Sequence, residues 1–495
     1  MRHTFDIGDF GAIGDGTTLN TAAIQAAMEA AAAASGGTVY VPAGTYLTGT
    51  LHLRSGITLE MHPAAVLLGS PRIEDYDTGG VTEDIDRNPW HLLVAHDCSH
   101  ITLRGGTIDG NGPAFWEEVR GDDPLTCVVA REPDPARAPL LWIHAHKDRR
   151  PSPMIDFTGC RHIRIVDTII RNSAGWNLHL HCCDYVWIRG VHLEANLRGP
   201  NNDGFDVTGC RDVMISDCHL SCCDDAIVLK TTKDSRSVER VTVTNCIIRT
   251  PCAALKLGAN ESFHDFRQIT FSNCVVYESN RAFALYSLEG GHIEDVVVSN
   301  IVCDTRAPFL FNRPIHFDVR RRNPGSRLGS IRHVVVSQFI ARTDGRILLT
   351  AEEPGVIEDV VLRDVRMVYP VIDDPAPAAN PAVGGTQFSS KTLDARSARA
   401  AVVAENIGEL VLENLAVAWP ASEEVPAEWD FSLKAAAGTH ALFERTDFRP
   451  VDRSAFHVLW ARRCTGWIRC PSAKASGEGV EPFHLEDSDV VIARA

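Results

Sequence analysis

Two short segments concentrate the residues able to move protons. Pro200-Asn201-Asn202-Asp203-Gly204-Phe205-Asp206 carries two carboxylates and two amides, and Cys222-Cys223-Asp224-Asp225 follows a little further on. Like charges crowded together raise one another's pKa, so one carboxyl stays protonated near neutral pH while a neighbour remains ionised. Such an acid and base are what hydrolysis of a glycosidic bond requires, one for the leaving oxygen and one for water. Asp and Asn also fill turns between strands, as they do elsewhere in this chain. The pair Asp224-Asp225, directly ahead of the apolar run Ala226-Ile227-Val228-Leu229, favours chemistry.

Segments this far apart meet only if the chain brings them to neighbouring positions, and its periodicity predicts that it does. Val-x-Val-type anchors fall at Val186/Ile188, Val213/Ile215, Val241/Val243, Ile269/Phe271 and Val296/Val298, spaced by 27 or 28 residues. Each is followed by a small polar turn, as in Ser216-Asp217-Cys218, Thr244-Asn245-Cys246 and Ser272-Asn273-Cys274. A period in this range marks a solenoid or a propeller, and a propeller blade is longer, at roughly 40 to 45 residues. The repeats contain short β-branched strands and no amphipathic stretch of helix length. The prediction is an all-β fold, a right-handed parallel β-helix in which each repeat is one coil. Asp203 and Asp224 are separated by somewhat less than one coil, so they can share a face, with adjacent strands ~4.8 Å apart. Weaker coils are expected at Val334/Val336, Val360/Leu362 and Leu410/Leu412.

The rest of the chain is read around that solenoid. Gly14-Asp15-Gly16 signals a turn, Asn20 is a candidate cap for an Ala-rich helix from about Thr21 to Ala34, and Gly36-Gly37 ends it. This helix is expected to cover one open end of the stacked strands. Residues 1–495 are taken as a single β-helix domain, with 1–60 as N-terminal cap and first strands. The Pro/Ala/Gly/Ser-rich stretch 373–400 reads as a surface excursion, and 429–495 as a terminal coil and cap.

The formal net charge of −16 argues against a nucleic-acid or anionic-membrane partner, which would need a dense positive surface. No apolar run is long enough for a transmembrane helix. The N-terminus shows no charged-then-apolar leader, so the expectation is a cytoplasmic protein or a secreted or periplasmic one whose leader has been removed. The 15 cysteines are expected to be mostly small buried apolar residues in a reducing compartment. No paired CxxC motifs stand at zinc-finger spacing.

The order Asn201-x-Asp203-Gly204, Asp224-Asp225 and Lys230 resembles glycoside hydrolase family 28, the polygalacturonase-like pectinases. Asp9-Phe10-Gly11-Ala12 and Gly105-Gly106-Thr107-Ile108-Asp109-Gly110-Asn111-Gly112 are also similar to segments of that family. The resemblance runs from about Phe5 to Tyr286. It implies an inverting hydrolase on a pectin-lyase-like right-handed β-helix, without metal or other cofactor. By position it implies Asp224 as general acid, with Asp203 and Asp225 holding the water as base. Inversion needs roughly 6.5 to 9.5 Å between acid and base carboxyls.

Two departures bear on the substrate. Where the family usually has Gly-His-Gly, this chain reads Cys252-Ala253-Ala254, and where it usually has Arg-Ile-Lys it reads Ala284-Leu285-Tyr286. The cations that hold a uronate carboxylate are therefore replaced. Lys230, Lys256 and Arg281 are candidates to supply charge, since residues one coil apart can converge. Asn201, Trp176, Asn177, His179 and Tyr286 are further candidate sugar contacts, and Trp116 is another aromatic of that kind. His179 and His181 alternate on one strand face, but no further ligand is spaced to complete a metal site with them.

The expected substrate is thus a pectic glycan or oligosaccharide, such as a galacturonan or rhamnogalacturonan fragment. Long excursions at 75–88, 116–153 and 373–400 suggest walls that would favour chain ends. Two alternatives keep the fold: a Ca²⁺-dependent polysaccharide lyase and a glycan-binding protein without catalysis. Oligomeric state is not legible in the sequence.

Overall fold

The computed structural model describes residues 3–78, 88–118, 144–146, 149–197, 199, 201–306, 312–371, 400–421, 431–444, 447–448, 457–469 and 482–493. The chain forms two compact units, Met1–Pro251 and Cys252–Ala495. Each is built of stacked parallel strands in the right-handed β-helical manner.

In the first unit three parallel ladders run along the stack. One contains Leu93–His96, Ile155–Thr158, Leu178–His181, Phe205–Thr208 and Ile227–Thr231. A second contains Ser99–Arg104, Arg161–Val166, Asp184–Arg189, Arg211–Ser216 and Val238–Thr244. A third runs through Thr107–Asp109, Ile169–Arg171, His192–Glu194, His219–Ser221 and Ile247–Arg249. The anchors read from the sequence stack in register: Val186 beside Val213 beside Val241, and Ile188 beside Ile215 beside Val243. All six are buried, because a strand's alternation sends every second side chain inward. Full burial of such side chains contributes about 1.5–3 kcal/mol each.

The small polar turns are the corners of the coils. Asp217 and Asn245 take left-handed backbone at φ 57° and 56°, a conformation that Asn and Asp tolerate better than other residues with a Cβ. Their side chains stack as the backbones do, the Asn245 amide donating to Asp217 Oδ1 at 3.1 Å.

The helix Thr21–Ala33 buries Ile24, Ala27, Met28 and Ala31. It packs on the strands Thr4–Asp6, Gly37–Val41 and Leu51–His52, covering the first coil as expected. Asn20 precedes the helix without capping it. Its side chain instead accepts from the Ile13 amide at 2.7 Å and donates to the Ile13 and Thr18 carbonyls, tying down the preceding loop.

In the second unit the corresponding strands are longer, as in His292–Thr305 and Ser330–Thr343, and bend through left-handed residues such as Asn300 and Gln338. The expected weaker coils are present, with Val334, Val360 and Leu410 in register. Residues 372–399 lie outside the described residues; the strands that precede and follow them are Val360–Val368 and Ala400–Glu405, and the second of these pairs with Ile347–Ala351. The C-terminal stretch is more regular than expected. Phe431–Ala436, His457–Arg462 and Phe483–Glu486 continue the ladder of Ala400–Glu405 one after another.

Candidate active site

The ladder that contains Leu93–His96 sets the heights of the candidate acids. Leu178, Phe205 and Ile227 are level across three coils. Counting two residues back along each strand makes Trp176, Asp203 and Asp225 level in turn. The turns themselves are laced together: Asn177 N–H donates to Asp203 O at 3.0 Å, and Gly204 N–H to Asp225 O at 2.8 Å. Gly204 is required for this approach, since a Cβ there would lie 2.2 Å from the Ala226 carbonyl oxygen. Two amides pin the turn to the coil before it. Asn202 Nδ2 donates to the Ser173 and Gly175 carbonyls at 3.2 and 3.0 Å, and Asn177 Nδ2 to the Asp203 carbonyl at 2.8 Å.

Asp203, Asp224 and Asp225 are all buried, with Asp224 the most exposed at 9% against 3% and 4%. The Asp225 N–H donates to Asp224 Oδ1 at 2.9 Å, and the Thr250 hydroxyl donates to the Asp224 carbonyl. Burial pushes the Asp203 carboxyl well above the usual range, and the charges of Asp206 and Asp224 push the same way; Lys230 opposes them. Cys222 and Cys223 beneath the turn are fully buried thiols, raised chiefly by burial and then by the same carboxylates. Asp203 Oδ1, Asn177 Oδ1 and Asn202 Oδ1 are buried acceptors that receive no hydrogen bond from the described residues. They are the oxygens that a water or a ligand hydroxyl would satisfy.

Lys230 differs from its expected role. It is 3% exposed, with Nζ 2.7 Å from Asp206 Oδ1, 3.5 Å from Asp203 Oδ2 and 3.6 Å from the centre of the Trp176 ring. Trp176 is itself buried, at 1% exposure, so it floors the lysine pocket instead of presenting a face to a sugar. His179 is corrected in the same way. It is buried, with Nδ1 2.7 Å from Asp156 Oδ1 and Nε2 3.0 Å from the Thr208 hydroxyl. Both ring nitrogens are thus committed within the protein. Asn201 is partly exposed and adopts left-handed backbone at φ 47° beside these residues in the chain. Trp116 is buried and donates from Nε1 to the Ala174 carbonyl at 3.0 Å, and its ring edge abuts Gly199.

Sequence reasoning assigned no role to Asp206 or Asp156. The available signal was parity. Asp206 is the outward-facing partner of His179 and Val228 in the register, and Asp156 is the partner of His179 on the other side. A carboxylate at an alternate position of a buried strand requires a cation or a donor.

Lys256, Arg281 and Tyr286 belong to the second unit. There Lys256, Ala284 and His316 are level, as are Gly258, Tyr286, Asp318, Thr350 and Glu405. Tyr286 is fully buried, its hydroxyl 2.7 Å from His316 Nδ1 and accepting from Arg281 Nη1 at 3.3 Å, which corrects its expected role in sugar stacking. Arg281 also donates to the Cys252 thiol sulfur at 2.7 Å. Burial, aided by Arg313 and Arg281, pulls His316 well below the usual histidine range, so its ring is neutral. Asp318 is pushed up to about 7 by burial, against the pull of Arg320 and the Thr350 hydroxyl.

The fold and this cluster define the class: a parallel β-helix carrying a buried, backbone-laced group of aspartates at the head of one strand ladder. Residues 143–304 match the family model described as glycosyl hydrolases family 28, and residues 4–62 match rhamnogalacturonase A/epimerase, pectate lyase-like. Over residues 143–304 the chain is therefore similar to glycosyl hydrolase family 28. It is 26% identical over 323 residues to a Vitis vinifera protein named "Probable polygalacturonase", covering 61% of each. It is 29% identical over 249 residues to an exo-poly-alpha-D-galacturonosidase of Dickeya chrysanthemi, covering 45% of this chain and 41% of that one. It therefore spans about two fifths to three fifths of these relatives. Among solved structures, an exopolygalacturonase from Thermotoga maritima superposes with a TM-score of 0.64 at 22% identity, covering 84% of this chain and 92% of that one. The family 28 exopolygalacturonase of Yersinia enterocolitica gives 0.61 at 17% identity, covering 99% and 78%. Among the described residues, no helix is long and apolar enough to cross a membrane.

Proposed function

We propose that this protein hydrolyses a glycosidic bond in a pectin-type galacturonan or rhamnogalacturonan fragment with inversion at the anomeric carbon. Asp224 is the general acid, and Asp203 with Asp225 is the base that holds water. In the step, the Asp224 carboxyl proton passes to the glycosidic oxygen as the bond from that oxygen to the anomeric carbon breaks. Water bonds to the same carbon from the opposite face and gives its proton to the base carboxylate. The observation that carries this reading is the buried set Asp203, Asp224 and Asp225 on adjacent coils, Asp203 level with Asp225 and the acid Asp224 the most exposed member. The names of the Dickeya and Thermotoga proteins support galacturonan as the substrate class and chain ends as the point of attack. The excursions expected to wall the cleft lie largely outside the described residues.

Ala253, Ala284 and Tyr286, standing where the family's histidine and two cations are usual, favour a modified or neutral sugar over plain galacturonate at the position those residues would serve. The test is incubation with polygalacturonate, rhamnogalacturonan and their short oligomers, following reducing ends and ultraviolet absorbance together. New reducing ends without absorbance are expected, with kcat reduced about 10²–10⁴-fold in Asp224→Asn. Rising absorbance would instead establish elimination. Retained activity in Asp224→Asn would overturn the assignment of the acid.

A further inference from the structure

Among the described residues, the hydrolytic reading gives no part to two buried charges beside the carboxylates, Asp206 and Lys230. Lys230 was a candidate substrate contact, yet its surroundings leave it little to offer a sugar. Its strand, Ile227–Thr231, is buried along its whole length. The Lys230 Nζ is taken up on one side by Asp206 Oδ1 at 2.7 Å, on a second by Asp203 Oδ2 at 3.5 Å, and on a third by the Trp176 ring at 3.6 Å. An ammonium over an aromatic face inside protein is held by the ring's quadrupole as well as by its anions.

We propose that Lys230 is a positioning residue, which aims the Asp203 carboxyl as the base without touching substrate, with Asp206 as the counter-ion that moderates its charge. This rests on the hydrolytic reading given above. Asp203 has one oxygen directed to Lys230 and the other, Oδ1, receiving no hydrogen bond from the described residues. The lysine fixes the rotation of the carboxyl by its first oxygen, which leaves the second to accept a proton from water. The balance of charges is explicit. Around Asp203 in this unit stand Asp206, Asp224 and Asp225, which oppose its ionisation, and Lys230, which favours it. Cys222 and Cys223 are thiols held neutral by burial. On the neighbouring strands of the ladder, His179 is engaged by Asp156, and His181 lies 3.7 Å from Asp234. The only cation near the Asp203 carboxyl among these groups is Lys230.

Two substitutions then move the acidic limb of the pH profile of kcat in opposite directions. Lys230→Met removes the attraction and leaves three repulsions, so the limb moves to higher pH, by roughly one to three units for loss of an opposite charge at this range. Asp206→Asn removes one repulsion and frees the lysine for Asp203, so the limb moves to lower pH. KM stays within about twofold in both, as expected for groups that do not touch substrate. Lys230→Arg, which keeps the charge, returns the limb toward its wild-type position. Circular dichroism and thermal midpoints check that each variant is folded, and Asp206→Asn carries the test should Lys230→Met not fold. A tenfold rise in KM at unchanged kcat for a Lys230 variant would make the lysine a substrate contact and overturn the proposal. So would limbs that stay in place or move the same way in both variants. Failure of the hydrolytic reading shows differently, as wild-type protein without turnover or as full activity in Asp203→Asn.

Discussion

Asp318 makes the second unit's stability depend on pH in a direction opposite to that of most surface carboxylates. The carboxyl is buried, bonded to Arg320 Nε at 3.0 Å and to the Thr350 hydroxyl at 3.1 Å, and these partners do not fully offset its desolvation. Its pKa is pushed up to about 7 from an ordinary value of 3.8. A group whose folded pKa lies above its unfolded one binds protons more tightly in the folded protein. Its favourable contribution is complete below the unfolded value and is lost as pH rises through the folded value. At about 1.4 kcal/mol per unit, the shift corresponds to roughly 4 kcal/mol between pH 4 and pH 8. Asp318→Asn removes the titration while keeping the shape, and any constant cost of the altered hydrogen bonds is the same at every pH. Urea unfolding of both proteins at half-unit steps of pH is therefore expected to give a difference that grows by about 4 kcal/mol in favour of the variant from pH 4 to pH 8. Parallel curves would refute the reasoning, since they would mean that Asp318 has the same proton affinity folded and unfolded.

Two further substitutions probe how the first unit holds its site. Gly204→Ala would place a methyl 2.2 Å from the Ala226 carbonyl, forcing apart the turns that carry Asp203 and Asp225. Activity is expected to fall at least about 100-fold, because an ångström of misplacement costs that much; near-wild-type kcat would show that the turn does not position the acids. Ile215→Ala, in the buried ladder between Ile188 and Val243, should lower unfolding free energy by about 2–5 kcal/mol, read by urea denaturation, with KM unchanged.

Much of the fold was legible because the repeat writes one rule many times. Val213 and Ile215 alternate with polar neighbours and recur 28 residues later at Val241 and Val243, so period and strand parity reinforce each other. The corners were legible for the same reason, Asp217 and Asn245 being residue types that suit a left-handed turn. Asn20 shows where local chemistry misleads. Its type suits a helix cap, but three hydrogen bonds to residues 13 and 18 satisfy it better. The site was legible as a set of carboxylates, and the roles of its neighbours were not. Trp176, His179 and Tyr286 are polar-edged aromatics of the kind that line sugar clefts, yet each is turned into buried contacts with a lysine, an aspartate or another histidine.

The sequence by itself determined the architecture and pointed to the aspartates that stand together, since periodicity and short motifs are properties of order along one chain. The tertiary structure alone decided which charges meet. Lys230 is level with Thr208, two positions further along the ladder than Asp206, and its long side chain runs back along the strand face to bring Nζ to Asp206 and Asp203. Electrostatic energy falls with distance and rises as water is excluded, so a residue's role in such a cluster is set by neighbours in space and by burial.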